Sequence, residues 1–236
     1  MYDIEDNIRR VRERIAEAAD NCGRKPSEIT LIAVTKTHPA EIIASAIEAG
    51  ITDIGENRIQ EAETKFSQLG LEEPSLKVKR HLAGHLQRNK VKKALQLFDI
   101  IHSVDSLRLA EAVSQSAAEY PEPVEILIEV NTSREESKFG LIPEETIETI
   151  EQISQLLNIK ILGLMTVAGF SDDMKIVRPQ FVELRKLSEK IDKMRFPNVE
   201  MRHLSMGMTN DFETAIEEGA TMVRIGTAIF GERVTV

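Results

Sequence analysis

The stretch ITLIAVTK, residues 29–36, decides the reading of this chain. Its β-branched and apolar residues alternate with the two-residue period of a strand. Leu31, Ala33 and Thr35 fall on one face, and Ile32, Val34 and Lys36 on the other. Lys36 therefore shares a face with aliphatic side chains, where an ammonium must either snorkel to water or react.

Seven similar runs follow: DIGEN (53–57), HLAGH (81–85), IIHSVD (100–105), EILIEVN (125–131), ILGLMT (161–166), EMRHLSMGM (200–208) and MVRIG (222–226). Successive starts lie 19 to 39 residues apart, around the roughly 30 residues of a βαβ step. The intervening segments read as helices. Pro39 and Pro143 suit first-turn positions. Asn210 in NDFE is placed to cap a helix, with Glu213 three residues on. Gly50 and Gly219 stand where C′ glycines stop a helix just before a strand.

Eight alternating β and α elements in one chain point to the α/β class and a closed (β/α)8 TIM barrel, a single domain over residues 1–236. A doubly wound open sheet competes, because strand count alone does not prove closure. Only ten residues follow Gly226, too few for a full eighth helix. Residues 3–20, helical in pattern through Ile4, Ile8, Val11 and Ile15, are expected to cover that gap.

With 236 residues, 42% hydrophobic and 29% charged, the chain has ample length for such a core. No apolar run reaches the roughly 20 residues of a membrane span, and the charged N-terminus does not read as a signal peptide. A single cysteine, Cys22, excludes an intramolecular disulfide framework and points to a cytoplasmic home. A net charge of −9 speaks against nucleic acid as a partner. The basic segment 77–93, KVKRHLAGHLQRNKVKK, reads as a solvated helix face plus loop, or as a source of positive potential for an anion pocket.

In a barrel the chemistry gathers at the C-terminal strand ends. Here those ends carry Thr35, Lys36, Glu56, Asn57, His85, Asp105, Asn131, Thr166, Ser205, Gly207, Arg224 and Gly226. Any one of them alone reads as a loop cap; together they suggest one polar mouth. RIGTAIFG (224–231) closes the last strand with Gly226 and Thr227, and LSMGMTND (204–211) sets Ser205 and Gly207 before a helix. Both suit an anion, and the loops after strands seven and eight are the usual barrel phosphate site. Lys36, desolvated and near a cation such as Arg224, should then lose its proton more readily than a free lysine. A phosphate grip beside a nucleophilic lysine is what pyridoxal phosphate (PLP), an aldehyde carrying a phosphate, requires. A snorkelling lysine paired with Glu56 or Asp105 is the competing reading, and on pattern alone both stand. His81 and His85 form an H-x-x-x-H pair without a third ligand, which favours structural histidines over a metal site. Lys138, on the loop EESKFG, is a second candidate lysine but reads as exposed.

In order, LIAVTKTHP, IGENRIQE, HLAGHLQRNK, IHSVD, ILIEVNTSREESKFG, LMTVAGF, LSMGMTNDFE and VRIGTAIFG resemble the PLP homeostasis protein family (proline synthase co-transcribed homologues). The match runs from about residue 5 to residue 231. The resemblance implies a barrel like the N-terminal domain of alanine racemase, without that enzyme's second domain. It implies an internal aldimine on Lys36 and Asn57 along the ring. It also places Ser205, Gly207, Gly226 and Thr227 on the phosphate and Arg224 at the pyridine nitrogen. The motifs show no departure at those positions.

The function this implies is a non-catalytic carrier that buffers PLP and hands it to PLP-dependent apo-enzymes. The alternative is a PLP-dependent amino-acid racemase. An arginine at the ring nitrogen weakens the electron sink, and the two tyrosines, Tyr2 and Tyr120, are poorly placed to serve as the second acid/base. His85 and His203 stay open as bases. A cofactor-free Schiff-base aldolase is a third class. With no evident exposed apolar stripe, a monomer is expected.

Overall fold

The computed structural model describes residues 3–71 and 78–232. Helix α1 (Ile4–Asn21) precedes β1 (Thr30–Val34) and α2 (Ala40–Glu48). Then follow β2 (Asp53–Glu56), α3 (Ile59–Gln68), β3 (Lys79–Leu82), α4 (Val91–Leu97), β4 (Ile100–Val104) and α5 (Leu107–Ala117). The second half runs β5 (Val124–Glu129), α6 (Pro143–Ile153), β6 (Ile159–Met165), α7 (Met174–Met194), β7 (Val199–Ser205), α8 (Phe212–Glu217), β8 (Met222–Ile225) and α9 (Thr227–Phe230). Every neighbouring pair is parallel, and β8 returns to β1 with Thr30 opposite Met222 and Ala33 opposite Ile225. That last ladder closes the barrel and rules out the open sheet.

The strand period divides the apolar residues between two cores. Ile32, Ile100, Leu127, Leu162, Met165 and Met222 point inward and fill the barrel. Their neighbours Ala33, Ile101, Ile126 and Val223 point outward into the larger cluster, where Ile43, Phe66 and Phe181 of the helices meet them. A one-residue slip in any strand would exchange the two sets, so burial on both sides fixes the register.

Helix α1 covers the seam left by the short α9. It buries Ile8, Val11, Ile15, Ala18 and Ala19. Asn7 Nδ2 donates to the Ile229 carbonyl at 2.9 Å, and Arg14 Nε donates to Glu213 at 2.7 Å while its guanidinium lies 4.6 Å over the Phe212 ring.

Several local expectations hold and others shift. Gly50 and Gly219 do end helices: Ile51 N–H returns to the Ala46 carbonyl and Ala220 N–H to the Ala215 carbonyl. Pro143 opens α6, but Pro39 is the residue before α2 rather than within its first turn. The cap position of α8 is Asp211, not Asn210, and its side chain makes no cap bond to the helix: the Asp211 carboxylate instead accepts the Met208 N–H of the preceding turn at 2.6 Å. Strand β3 runs over 79–82 instead of 81–85, and β1 stops at Val34. Lys36 therefore stands on the turn after the strand, beside Thr37 in the left-handed region at φ 69°.

Candidate functional site

The turn that carries Lys36 is held from behind by a buried ion cluster. Lys65, on α3, donates its Nζ protons to the Thr35 carbonyl (2.7 Å), Glu56 Oε1 (2.8 Å) and Glu61 Oε1 (2.5 Å). Glu56 Oε1 also accepts from Thr35 Oγ1 at 2.7 Å, and Glu61 Oε1 accepts the Thr37 N–H. The backbone on both sides of Lys36 is thus tied to one ammonium and two carboxylates on the helix side of the barrel. Burial pushes the Glu56 carboxyl up, against the opposing pull of Lys65 and Thr35. Asp105 is engaged with His85 at 3.3 Å. Lys36 itself is half-buried on the turn two residues past the end of β1, whose Ile32 faces the barrel interior.

Next to β1 in the ladder is β8, which supplies Arg224 and Gly226. Arg224 Nη1 donates to the Ser205 carbonyl (2.7 Å) and Oγ (2.6 Å), and Nη2 donates to the Thr166 carbonyl (2.8 Å). Burial lowers the Arg224 pKa to about 10, opposed by Glu129 and Asp211, so the guanidinium keeps its charge at neutral pH. Glu129, two residues beyond the inward Leu127, is pushed up to about 7 by burial and by Asp105.

Gly226 lies against Val34: a side-chain Cβ there would sit 3.4 Å from the Val34 carbonyl and occupy the mouth beside the lysine turn. In the short α9 that follows, the Ile229 and Phe230 N–H groups return to the Gly226 carbonyl at 2.9 and 3.0 Å, which leaves those of Thr227 and Ala228 at its start for a ligand, and Thr227 is exposed. Gly207 has φ 94°, and a Cβ would fall 2.6 Å from that of Ala215, so only glycine allows the chain to turn so close to α8. On the other side of β1, Asn57 ends β2 half-buried, with Gly84 packed so tightly that a Cβ would reach 2.2 Å from the Asn57 carbonyl.

The fold therefore gathers Lys36, Asn57, Gly226 and Thr227 at the ends of three adjacent strands. Backbone and side-chain bonds join Ser205, Gly207 and Arg224 to the same rim, including Arg224 N–H to the Gly207 carbonyl at 3.0 Å. An amine, a guanidinium and a side-chain-free cradle of N–H groups form a donor set that fits PLP.

Other residues fall elsewhere. His81 is fully buried inside the barrel, whereas His85 is an exposed rim residue stacked on Phe139 at 3.8 Å, so the two do not form a pair. His203 is half-buried, its pKa lowered by burial and by Lys79. Tyr120 is exposed ahead of β5, on the opposite rim, and Tyr2 lies outside the described residues. Lys138, expected exposed, is half-buried, because its Nζ donates to the Ala168 carbonyl (2.9 Å) and pairs with Glu135 (2.9 Å). In the basic segment, Lys77 is outside the described residues. Lys79 pairs with Glu125, Arg80 with Asp99, Lys92 with Glu119 and Lys93 with Glu63, as suits a solvated face.

A groove of about 980 Å³ lies between α6 and α7, lined by Pro143, Pro179, Val182 and Leu187, and shares no residue with the mouth. Among the described residues no helix is long and apolar enough to cross a membrane. Sequence reasoning missed Lys65, His102 and Glu129. The signal for the last two was a charged or titratable residue on the inward face of an aliphatic strand.

Comparison with known proteins gives one consistent result. The family model described as "Alanine racemase, N-terminal domain" matches residues 3–234. A PLP homeostasis protein from Aquifex aeolicus is 42% identical over 228 residues, 97% of each chain. A crystal structure of an unknown protein from Bifidobacterium adolescentis superposes with a TM-score of 0.91 at 41% identity, over 96% of this chain and 94% of that one. The structure of PipY from Synechococcus elongatus with PLP bound aligns with a TM-score of 0.78 at 36% identity, over 92% of this chain and all of that one. With the barrel closed, the lysine turn and glycine cradle on adjacent strands, and relatives matched over nearly their full length, this chain belongs to the PLP homeostasis protein family, within the alanine racemase N-terminal domain family.

Proposed function

We propose that this protein binds PLP through Lys36 and holds it for release to PLP-dependent apo-enzymes, as a carrier and not as a racemase. The observation that carries this reading is the adjacency of the clamped Lys36 turn after β1 to the Gly226–Thr227 cradle after β8, with charged Arg224 of β8 fixed toward β7 and β6 by Ser205 and Thr166. When bound, PLP supplies an aldehyde that condenses with an amine, with loss of water, and a phosphate for N–H groups to hold.

The chain's residues do the rest. Lys65 and Glu61 hold the turn so that the Lys36 amine is presented at one place. Gly207, Gly226 and Thr227 bind the phosphate and Asn57 flanks the ring, while Ser205, expected on the phosphate, is fully buried with its hydroxyl on Arg224 and His102 and serves the guanidinium. Arg224 donates toward the ring nitrogen and, staying charged, gives it no proton, which disfavours carbanion chemistry. Tyr120, on the far rim, supplies no acid/base at the mouth. The protein acts as a cytoplasmic monomer in this reading.

Loaded protein mixed with a PLP-dependent apo-enzyme should activate it faster than PLP escapes into buffer, while protein reduced with borohydride should activate nothing. Activation no faster than escape would remove direct delivery. Turnover of an L-amino acid to its D form, lost in His85→Gln or His203→Gln, would favour the racemase instead.

A further inference from the structure

Opposite the apolar plug, the barrel interior carries a row of polar groups in unbroken contact. Asp53 Oδ1 meets His81 Nε2 at 2.9 Å, and His81 Nδ1 meets His102 Nε2 at 2.9 Å. His102 Nδ1 meets Ser205 Oγ at 2.9 Å, and Ser205 Oγ meets Arg224 Nη1 at 2.6 Å. His81, His102 and Ser205 are fully buried. Asp53 opens β2 at the end of the barrel away from the mouth, beside a cavity that Thr30, Leu31 and Ile51 also line.

The protons in this row can be placed by elimination. A guanidinium only donates, so Ser205 Oγ accepts from Arg224 and gives its own hydrogen to His102 Nδ1. His102 then carries its proton on Nε2 and donates to His81 Nδ1. His81 in turn carries its proton on Nε2 and donates to the Asp53 carboxylate. Run the other way, the row would strand the Ser205 hydroxyl hydrogen. Every donor therefore points from the guanidinium at the mouth toward the carboxylate at the base. Burial is the largest cause that holds His102 well below the usual histidine range, ahead of His81 and then Arg224. The hydrogen bonds from His81 and Thr52 more than offset the effect of burial on Asp53, which stays ionised.

We infer that Asp53, His81 and His102 are positioning residues for the mouth: they lock Ser205 as the acceptor of Arg224 and so fix the guanidinium that meets the bound ligand. Other charged or titratable groups facing the row are Lys79, Glu125, Glu129, His203 and Asp211. The effect on PLP rests on the binding reading above; the proton arrangement does not.

Two measurements keep those parts separate. In cofactor-free protein with 15N-labelled histidine, long-range proton–nitrogen spectra should show His81 and His102 each carrying its ring proton on Nε2 and none on Nδ1. An Nδ1–H tautomer or a charged ring at either position would overturn the relay, whether or not the protein binds PLP. In loaded protein, Asp53→Asn, which keeps the shape and removes the charge at the far end, should shift the visible band and its pH profile. It should also raise the PLP dissociation constant about two- to tenfold. His102→Gln should do the same, and if it does not fold, Asp53→Asn alone carries this arm. An unchanged spectrum and affinity in folded Asp53→Asn would overturn the positioning role. A wild-type protein that takes up no PLP would instead remove the binding reading and leave the tautomers to decide the relay.

Discussion

Arg224 shows how much of the site depends on the shape of one side chain. Its planar fork reaches the Ser205 carbonyl and hydroxyl with one nitrogen and the Thr166 carbonyl with another, a pattern a lysine ammonium cannot reproduce. Arg224→Lys keeps the charge and should still weaken PLP binding about tenfold, measured by equilibrium dialysis. Retention of full affinity would show that charge alone suffices. Glu129 gives a pH test. Its folded pKa, about 7, lies above the ordinary 4.5, so the folded protein binds this proton more tightly than the unfolded chain. Stability is then lost as pH rises through that window, and the penalty is complete above it. Glu129→Gln should gain on the wild type from about pH 4.5 upward and level off near 7, by up to about 3 kcal/mol in urea unfolding. A difference independent of pH would contradict the raised pKa. Lys36 and Arg224 were legible because they break aliphatic runs at strand ends. Lys65 was not, since a lysine in EAETKF has the spacing of any solvated helix face, and only the fold brings it to Glu56.

At the level of elements, α3 and the turn after β1 form a unit through Lys65. That ammonium is nearly buried and its three protons are all placed, so removing it leaves Glu56 as an unpaired charge beneath the helix. Lys65→Met should cost about 3–5 kcal/mol by chemical denaturation, and adding Glu56→Gln should return part of it. If the single variant is as stable as the wild type, the cluster does not hold the turn. Such long-range ties explain where local reading slipped. Asn210 and Asp211 offer equally good cap chemistry, but α8 begins after Asp211, whose carboxylate closes the preceding turn on Met208 N–H rather than capping the helix. Strand β3 ends at Leu82, opposite Glu56, the last residue of β2, and Gly84 beyond it packs against Asn57, a contact with no sequence signature.

For the molecule as a whole, eight strands were readable because most are covered on both sides, as β4 and β8 are throughout, and burial leaves an apolar run bounded by polar ends. Closure was the step that the count could not supply; the β1–β8 ladder supplies it and brings the first strand's lysine beside the last strand's glycine. That adjacency is the centre of the account, and reductive trapping tests it most directly. PLP is added to wild-type protein and to Lys36→Ala, visible absorbance is recorded, and each sample is treated with borohydride and mapped by peptide mass spectrometry. The expected result is a yellow wild-type protein whose pyridoxyl group maps to Lys36, and a variant without that band or that adduct. A wild-type protein that stays colourless, or one that carries the label on another lysine with Lys36→Ala equally yellow, would contradict it.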